Sequence, residues 1–162
     1  MSLRSKIFLA GLVGAAALAG PALAQDKGPF AKLDGNWAGT GTITMGDGSS
    51  EPIRCRVKYA LEGSSGGSLT QNLTCASDSY KFELKADVEY KNGAVTGFWT
   101  ERTRNTSGKL KGKATDEMIQ ATVETPGFIA ILNVATRGNQ QRVTIKSPST
   151  DIREIQIALR KN

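Results

Sequence analysis

From Leu33 onward, apolar and polar side chains alternate with a period of two. Between Tyr80 and Tyr90, the apolar positions Tyr80, Phe82, Leu84, Ala86, Val88 and Tyr90 interleave with Lys81, Glu83, Lys85, Asp87 and Glu89. A strand sends successive side chains to opposite faces, so this stretch is a ribbon with one dry and one wet face. A helix would scatter the same charges around its circumference. Ile53, Cys55, Val57, Tyr59 and Leu61 repeat the theme against Arg54, Arg56 and Lys58. Leu110, Gly112 and Ala114 alternate with Lys109, Lys111 and Lys113, and 118–124 and 128–136 are rich in residues that suit strands. Val143 and Ile145 share a face, as do Ile155, Ile157 and Leu159. Gly- and Pro-containing turns separate these runs. Asn92-Gly93 is the clearest, because both residues tolerate the positive φ of a type I′ hairpin.

The pattern predicts about ten strands, at roughly 35–45, 51–62, 67–76, 79–91, 94–104, 108–114, 116–124, 128–136, 140–146 and 152–160. Short connections make neighbours in sequence pair antiparallel. An up-and-down barrel removes both edges of such a meander, whereas a two-sheet sandwich keeps them. The expected fold is all-β, an antiparallel up-and-down meander closing into a barrel of about ten strands, with the sandwich as the other architecture. Outside the first 24 residues no helix is expected beyond a turn at Pro29–Leu33. Mid-strand charges such as Lys85 and Asp87 are costly against lipid, so the charged faces are expected to meet water.

The first 24 residues follow another rule. Arg4 and Lys6 precede an apolar run from Ile7 to Ala19, and Pro21-Ala22-Leu23-Ala24 ends in a small-x-small pattern. This order reads as a secretory signal peptide. The run is shorter than the roughly 20 residues of a membrane-spanning helix, and no later run approaches that length. The expected organisation is a signal peptide (1–24), a short leader (25–32) and one barrel domain (33–162), in the periplasm or secreted. Removing Arg4 and Lys6 lowers the formal charge of +6 by two. The remaining mild excess favours attraction to anionic surfaces. Nucleic acid is not an expected partner outside the cytoplasm.

Export also bears on Cys55 and Cys75. In an oxidising compartment an isolated pair becomes a disulfide, and closing a loop of about 20 residues stabilises by about 3 kcal/mol in the chain-entropy model. The sequence contains no histidine. Ser-His-Asp triads, Cys-His pairs and most zinc or copper sites need imidazole. Neither a metal nor a cofactor is expected, and binding is favoured over catalysis.

Leu33-Asp34-Gly35-Asn36-Trp37-Ala38-Gly39-Thr40-Gly41 opens the first strand. Its Gly35-Asn36-Trp37 resembles the Gly-x-Trp opening of the calycin group: lipocalins, fatty-acid-binding proteins, avidins and nitrobindin-like barrels. The resemblance implies a barrel whose Trp37 packs across the closed end, covered by an arginine of the last strand. Arg153 has inward parity with Ile155, Ile157 and Leu159, and an inward guanidinium can stack on an indole. Arg160 is the alternative, with outward parity. Small periplasmic β-barrel protease inhibitors offer a second resemblance. They too are exported, carry one disulfide and begin with a short trunk, which would here be 25–32.

Several residues are candidates for function. Trp37, Tyr59, Phe82, Tyr90, Trp99 and Phe128 share the inward faces, where they either line a ligand cavity or fill the barrel as core. Arg102, Arg104, Lys109, Lys111 and Lys113 form the densest positive run, either a solvated face or a contact for lipid phosphates or an acidic partner. Glu101 and Glu124 would support acid–base chemistry only if the fold brought them together. The expected role is an exported, non-enzymatic protein holding a small apolar ligand in its barrel. The alternative is an interaction or inhibitor module that meets a protein or an anionic envelope surface through its N-terminal segment or surface.

Overall fold

The computed structural model describes residues 28–162; the predicted signal peptide lies outside them. The strands are β1 (Gly35–Met45), β2 (Ser50–Leu61), β3 (Ser68–Ala76), β4 (Lys81–Lys91), β5 (Ala94–Glu101), β6 (Thr106–Ala114), β7 (Met118–Thr125), β8 (Phe128–Arg137), β9 (Gln140–Lys146) and β10 (Ile152–Lys161). Each pairs antiparallel with its neighbours in sequence. β1 also pairs with β10, closing the sheet into a barrel. The expected meander barrel is therefore the fold, and the sandwich is set aside.

The period of two translates directly into inside and outside. Ile53, Cys55, Val57 and Tyr59 of β2 are buried, while Arg54, Arg56 and Lys58 between them are exposed. Lys85 and Asp87 on β4 and Lys109, Lys111 and Lys113 on β6 also face outward. An apolar interior inside a charged wall is the inverse of the outer-membrane barrel pattern.

Strand ends depart from expectation where a side chain captures the backbone. β5 stops at Glu101 rather than 104 because the Glu101 carboxylate accepts the amide hydrogens of Thr103 (3.2 Å) and Arg104 (2.8 Å). The chain turns there through Asn105 at φ 50°. β4 starts at Lys81 because the Ser77 hydroxyl accepts the Tyr80 amide hydrogen at 2.9 Å, holding 77–80 in a turn.

Where β1 closes against β10, glycine is a steric requirement. A Cβ on Gly39 would lie 1.8 Å from the Ala158 carbonyl oxygen, and one on Gly41 would lie 2.0 Å from that of Gln156. These two glycines of β1 thus let two backbones press together at the seam.

Cys55 and Cys75 form a disulfide between directly opposed residues of β2 and β3. Both side chains are buried.

One end of the barrel is plugged by 28–33, which makes turns rather than a helix. The Gly28 amide hydrogen bonds to the Ser65 carbonyl (2.8 Å), and the Leu33 amide bonds back to Phe30 (2.9 Å). Phe30 and Leu33 are fully buried. Gly35 at φ 114° then redirects the chain into β1, a conformation L side chains rarely adopt. This is the physical content of the Gly-x-Trp opening: the glycine makes the corner and the indole fills it.

Trp37 lies at this closed end, 1% exposed, with its indole N–H donating to the Leu33 carbonyl at 2.7 Å. Arg153 does not cover it. Antiparallel pairing sets the start of β1 beside the end of β10, so Trp37 opposes Lys161. The Lys161 ammonium stands 5.8 Å from the indole ring centroid and donates to the Lys32 carbonyl at 3.2 Å. Arg153 sits at the other end, exposed, donating to the Pro148 carbonyl at 2.8 Å. A register shift opposite Thr44 and Met45 also breaks the parity that assigned Arg153 inward. Arg160 is exposed beside Ala38 and takes no part.

Candidate functional site

Above the plug the barrel is hollow. A cavity of about 680 Å³ opens at the end where the turns following β3, β5, β7 and β9 converge. Its walls are aliphatic over most of their height, with Leu84, Leu110, Leu132, Val143, Ile145 and Ile157 as typical members. Ala86 and Ala130 lie among them, and their small side chains leave space where leucine would fill it.

The floor is a hydrogen-bonded bar across the interior. The Tyr59 hydroxyl donates to Gln141 Oε1 at 2.8 Å, and Gln141 Nε2 donates to the Thr136 hydroxyl at 3.1 Å. β2 and β9 are not neighbours in the wall, so the first bond spans a chord of the barrel. Burial pushes the Tyr59 phenol well above its ordinary pKa, outweighing the opposite pull of Gln141, and keeps it neutral. The Trp37 ring packs edge-on to Tyr59 with centroids 6.4 Å apart.

The six predicted aromatic residues divide by height. Tyr59, Phe82, Trp99 and Phe128 line the cavity. Trp99 and Phe128 meet edge to face with centroids 6.3 Å apart. Trp37 lies outside the cavity lining, at the closed end, and Tyr90 packs on Phe30 there at 6.3 Å. Parity in a strand gives the face of the wall, not the depth along the axis.

The rim carries the charge. Glu101 is buried and accepts hydrogen bonds from the amides of Glu83 (2.9 Å), Arg104 (2.8 Å) and Thr103 (3.2 Å) and from the Thr103 hydroxyl (2.8 Å). Burial alone would raise its pKa. These donors outweigh burial and hold the carboxyl below its ordinary value. Arg104 was expected in the outer basic run, but it folds over the rim. Its guanidinium stands 4.8 Å over the Phe82 ring and 3.5 Å from Glu101 Oε2, and it lines the cavity. The turn that Glu101 captures is what redirects it. Tyr80 stacks on the Phe82 ring at 6.2 Å.

The rest of the predicted basic run stays outside. Arg102, Lys109, Lys111 and Lys113 are exposed, and Lys109 is paired in register with Glu124. Glu101 and Glu124 lie on opposite faces of the wall, one buried and one exposed, so no carboxylate pair assembles.

No family model matches this chain, and no curated protein does. Its fold does match solved structures. Rv2717c from M. tuberculosis superposes with a TM-score of 0.65 at 12% identity, over 81% of this chain and 93% of that one. The S-type phycobiliprotein lyase CPES from Guillardia theta superposes with a TM-score of 0.55 at 7% identity, over 82% and 90%. At these identities the likeness shows the fold alone. It fits a calycin-like barrel, as the Gly-x-Trp opening implied.

Two features of the site escaped the sequence reading. Gln71 lines the cavity from β3. Its signal was present, since it occupies inward parity between Leu69 and Leu73. The second is an arginine face on the outer wall. Arg142 of β9, Arg160 of β10 and Arg54 and Arg56 of β2 flank Ala38, Thr40 and Ala158. All four arginines are exposed, and none makes an ion pair among the described residues. Arg54 and Arg56 lie more than eighty positions before Arg142 and Arg160, so only the β1–β10 closure joins the two pairs into one face.

Proposed function

We propose that this chain is an exported, non-enzymatic binding protein that holds a small apolar molecule in its barrel. The observation that carries this reading is the cavity of about 680 Å³. Protein interiors are close-packed, with few voids larger than a water molecule. A hollow of this size, with aliphatic walls, one open end and a sealed floor, matches small-molecule sites in volume and lining. Export rests on the character of the first 24 residues, and a disulfide fits an oxidising compartment. A non-enzymatic role is supported by the separation of Glu101 from Glu124.

The test is a fluorescence titration of delipidated protein with fatty acids and aromatic hydrocarbons. Trp99 lines the cavity and Trp37 does not. The expected result is a saturable change retained in Trp37→Phe and lost in Trp99→Phe. Native mass spectrometry of protein purified from its own host should show a retained small molecule as added mass. A flat titration across the panel, with no added mass, rejects the reading.

The arginine face favours a second reading, attachment to an anionic envelope surface. Guanidinium groups pair bidentately with phosphate, and this face offers four without carboxylate partners. The N-terminal route of an inhibitor is less favoured, because Phe30 and Leu33 are committed to the plug. Sedimentation with vesicles tests it. Vesicles rich in anionic phospholipid should retain the protein at low salt, and Arg56→Glu with Arg160→Glu should release it. Equal retention by parent and double variant would eliminate this reading.

A further inference from the structure

We propose that the ligand enters with an uncharged hydrogen-bonding end, a hydroxyl or carbonyl, which meets the side-chain amide of Gln71 deep in the cavity. This inference rests on the cavity reading above and adds the chemical class and orientation of the occupant.

Gln71 sits in register between Tyr59 of β2 and Ala86 of β4, both of which line the cavity. Along β3, Leu73 and Cys75 stand between Gln71 and the rim turn at 77–80, and its neighbour Tyr59 belongs to the floor, so Gln71 lies in the lower part of the cavity. Its amide takes no part in the Tyr59–Gln141–Thr136 bar, nor in any other side-chain hydrogen bond among the described residues. It faces open space and is not an orphan sealed in the wall. An amide turned into an apolar chamber discriminates between occupants. A pure hydrocarbon leaves its donors and acceptor unmatched, whereas a hydroxyl or carbonyl satisfies part of them. Such sparse polar groups in apolar pockets orient ligands.

Charge decides which end goes in first. The charged residues lining the cavity are Glu101, Arg104 and Asp151, and all three belong to the rim. No charged side chain lines the lower chamber. A carboxylate or ammonium pushed to the floor would be desolvated without a counter-ion, which is far costlier than burying a neutral polar group. Arg104 is the one cation among the described residues that line the rim, stands 3.5 Å from Glu101 through Nη1, and shares the rim with a second carboxylate, Asp151, so the rim as a whole carries no excess positive charge. The chamber thus favours an apolar body with a neutral polar end at its inner tip.

Three probes with one chain and different ends test this: 1-decanol, decanoate and decyltrimethylammonium. Each is titrated by calorimetry into delipidated full-chain protein, Gln71→Leu and Arg104→Gln. Decanol is expected to bind tightest, and Gln71→Leu should weaken it by about fivefold to tenfold, the value of one hydrogen bond. The other two probes should change by less than about twofold, since neither places its head at Gln71. Gln71→Met, close in length, replaces Gln71→Leu if the latter does not fold. Decanol binding that ignores Gln71 overturns the inference. So does a preference for decanoate that vanishes in Arg104→Gln, because it would place the head at the rim. No saturable binding by any probe overturns the cavity reading itself, and is thereby distinguishable from failure of the Gln71 contact.

Discussion

Replacing Trp37 with alanine is expected to cost about 3–5 kcal/mol of folding stability, the range for a buried tryptophan truncated to alanine. Trp37 is 1% exposed and joins three parts of the closed end. Its N–H holds the Leu33 carbonyl at 2.7 Å, its ring meets Tyr59 at 6.4 Å, and the Lys161 ammonium stands 5.8 Å from it. Truncation therefore opens a void beneath the floor and frees the plug carrying Phe30 and Leu33. Urea unfolding followed by circular dichroism measures the loss. Trp37→Phe should cost less, since it keeps most of the volume and loses the hydrogen bond. A loss below about 1 kcal/mol for Trp37→Ala would show that the plug is held elsewhere.

The second large effect belongs to the disulfide. Cys55→Ser and Cys75→Ser should each lower stability by about 3 kcal/mol, and the double variant should be no worse than either single one. The argument is chiefly about the unfolded chain, where the bridge removes loop conformations that folding would otherwise have to freeze. In the barrel, β2 and β3 are already paired in register around the two residues. Removing the bond should lower the melting temperature without changing the fold or the cavity lining, which excludes both cysteines. Reduced and oxidised protein melting together would reject the stabilising role.

The strands were legible to within a few residues because alternation is a local signal. Asn92 and Gly93 adopt φ of 50° and 86°, the positive values expected for the hairpin read from that dipeptide. The boundary errors have a common cause. At Glu101 and Ser77 a polar side chain bonds to nearby backbone and ends the ladder, which parity does not register. The Arg153 assignment failed for a longer-range reason. Closure brings opposite ends of the first and last strands together, so the residue beside Trp37 is near the C-terminus of the chain, not near the start of β10. The sequence places Arg104 in a run of surface charges, yet the turn captured by Glu101 carries it over the rim onto Phe82.

By itself, the order of residues determined the strand count, the direction of pairing, the wet and dry face of each ribbon up to the bulge in β10, and the partner of each cysteine. All follow from the two-residue pleat and from short connections. Only the tertiary structure decided that the interior is hollow, which aromatic rings line the space, and that Gln71 and the four outer arginines take their places around it. Those outcomes depend on the radius at which the sheet closes and on how far each strand is staggered along the axis. Both are set by contacts between β1 and β10, over a hundred positions apart in the chain, and no local period encodes them.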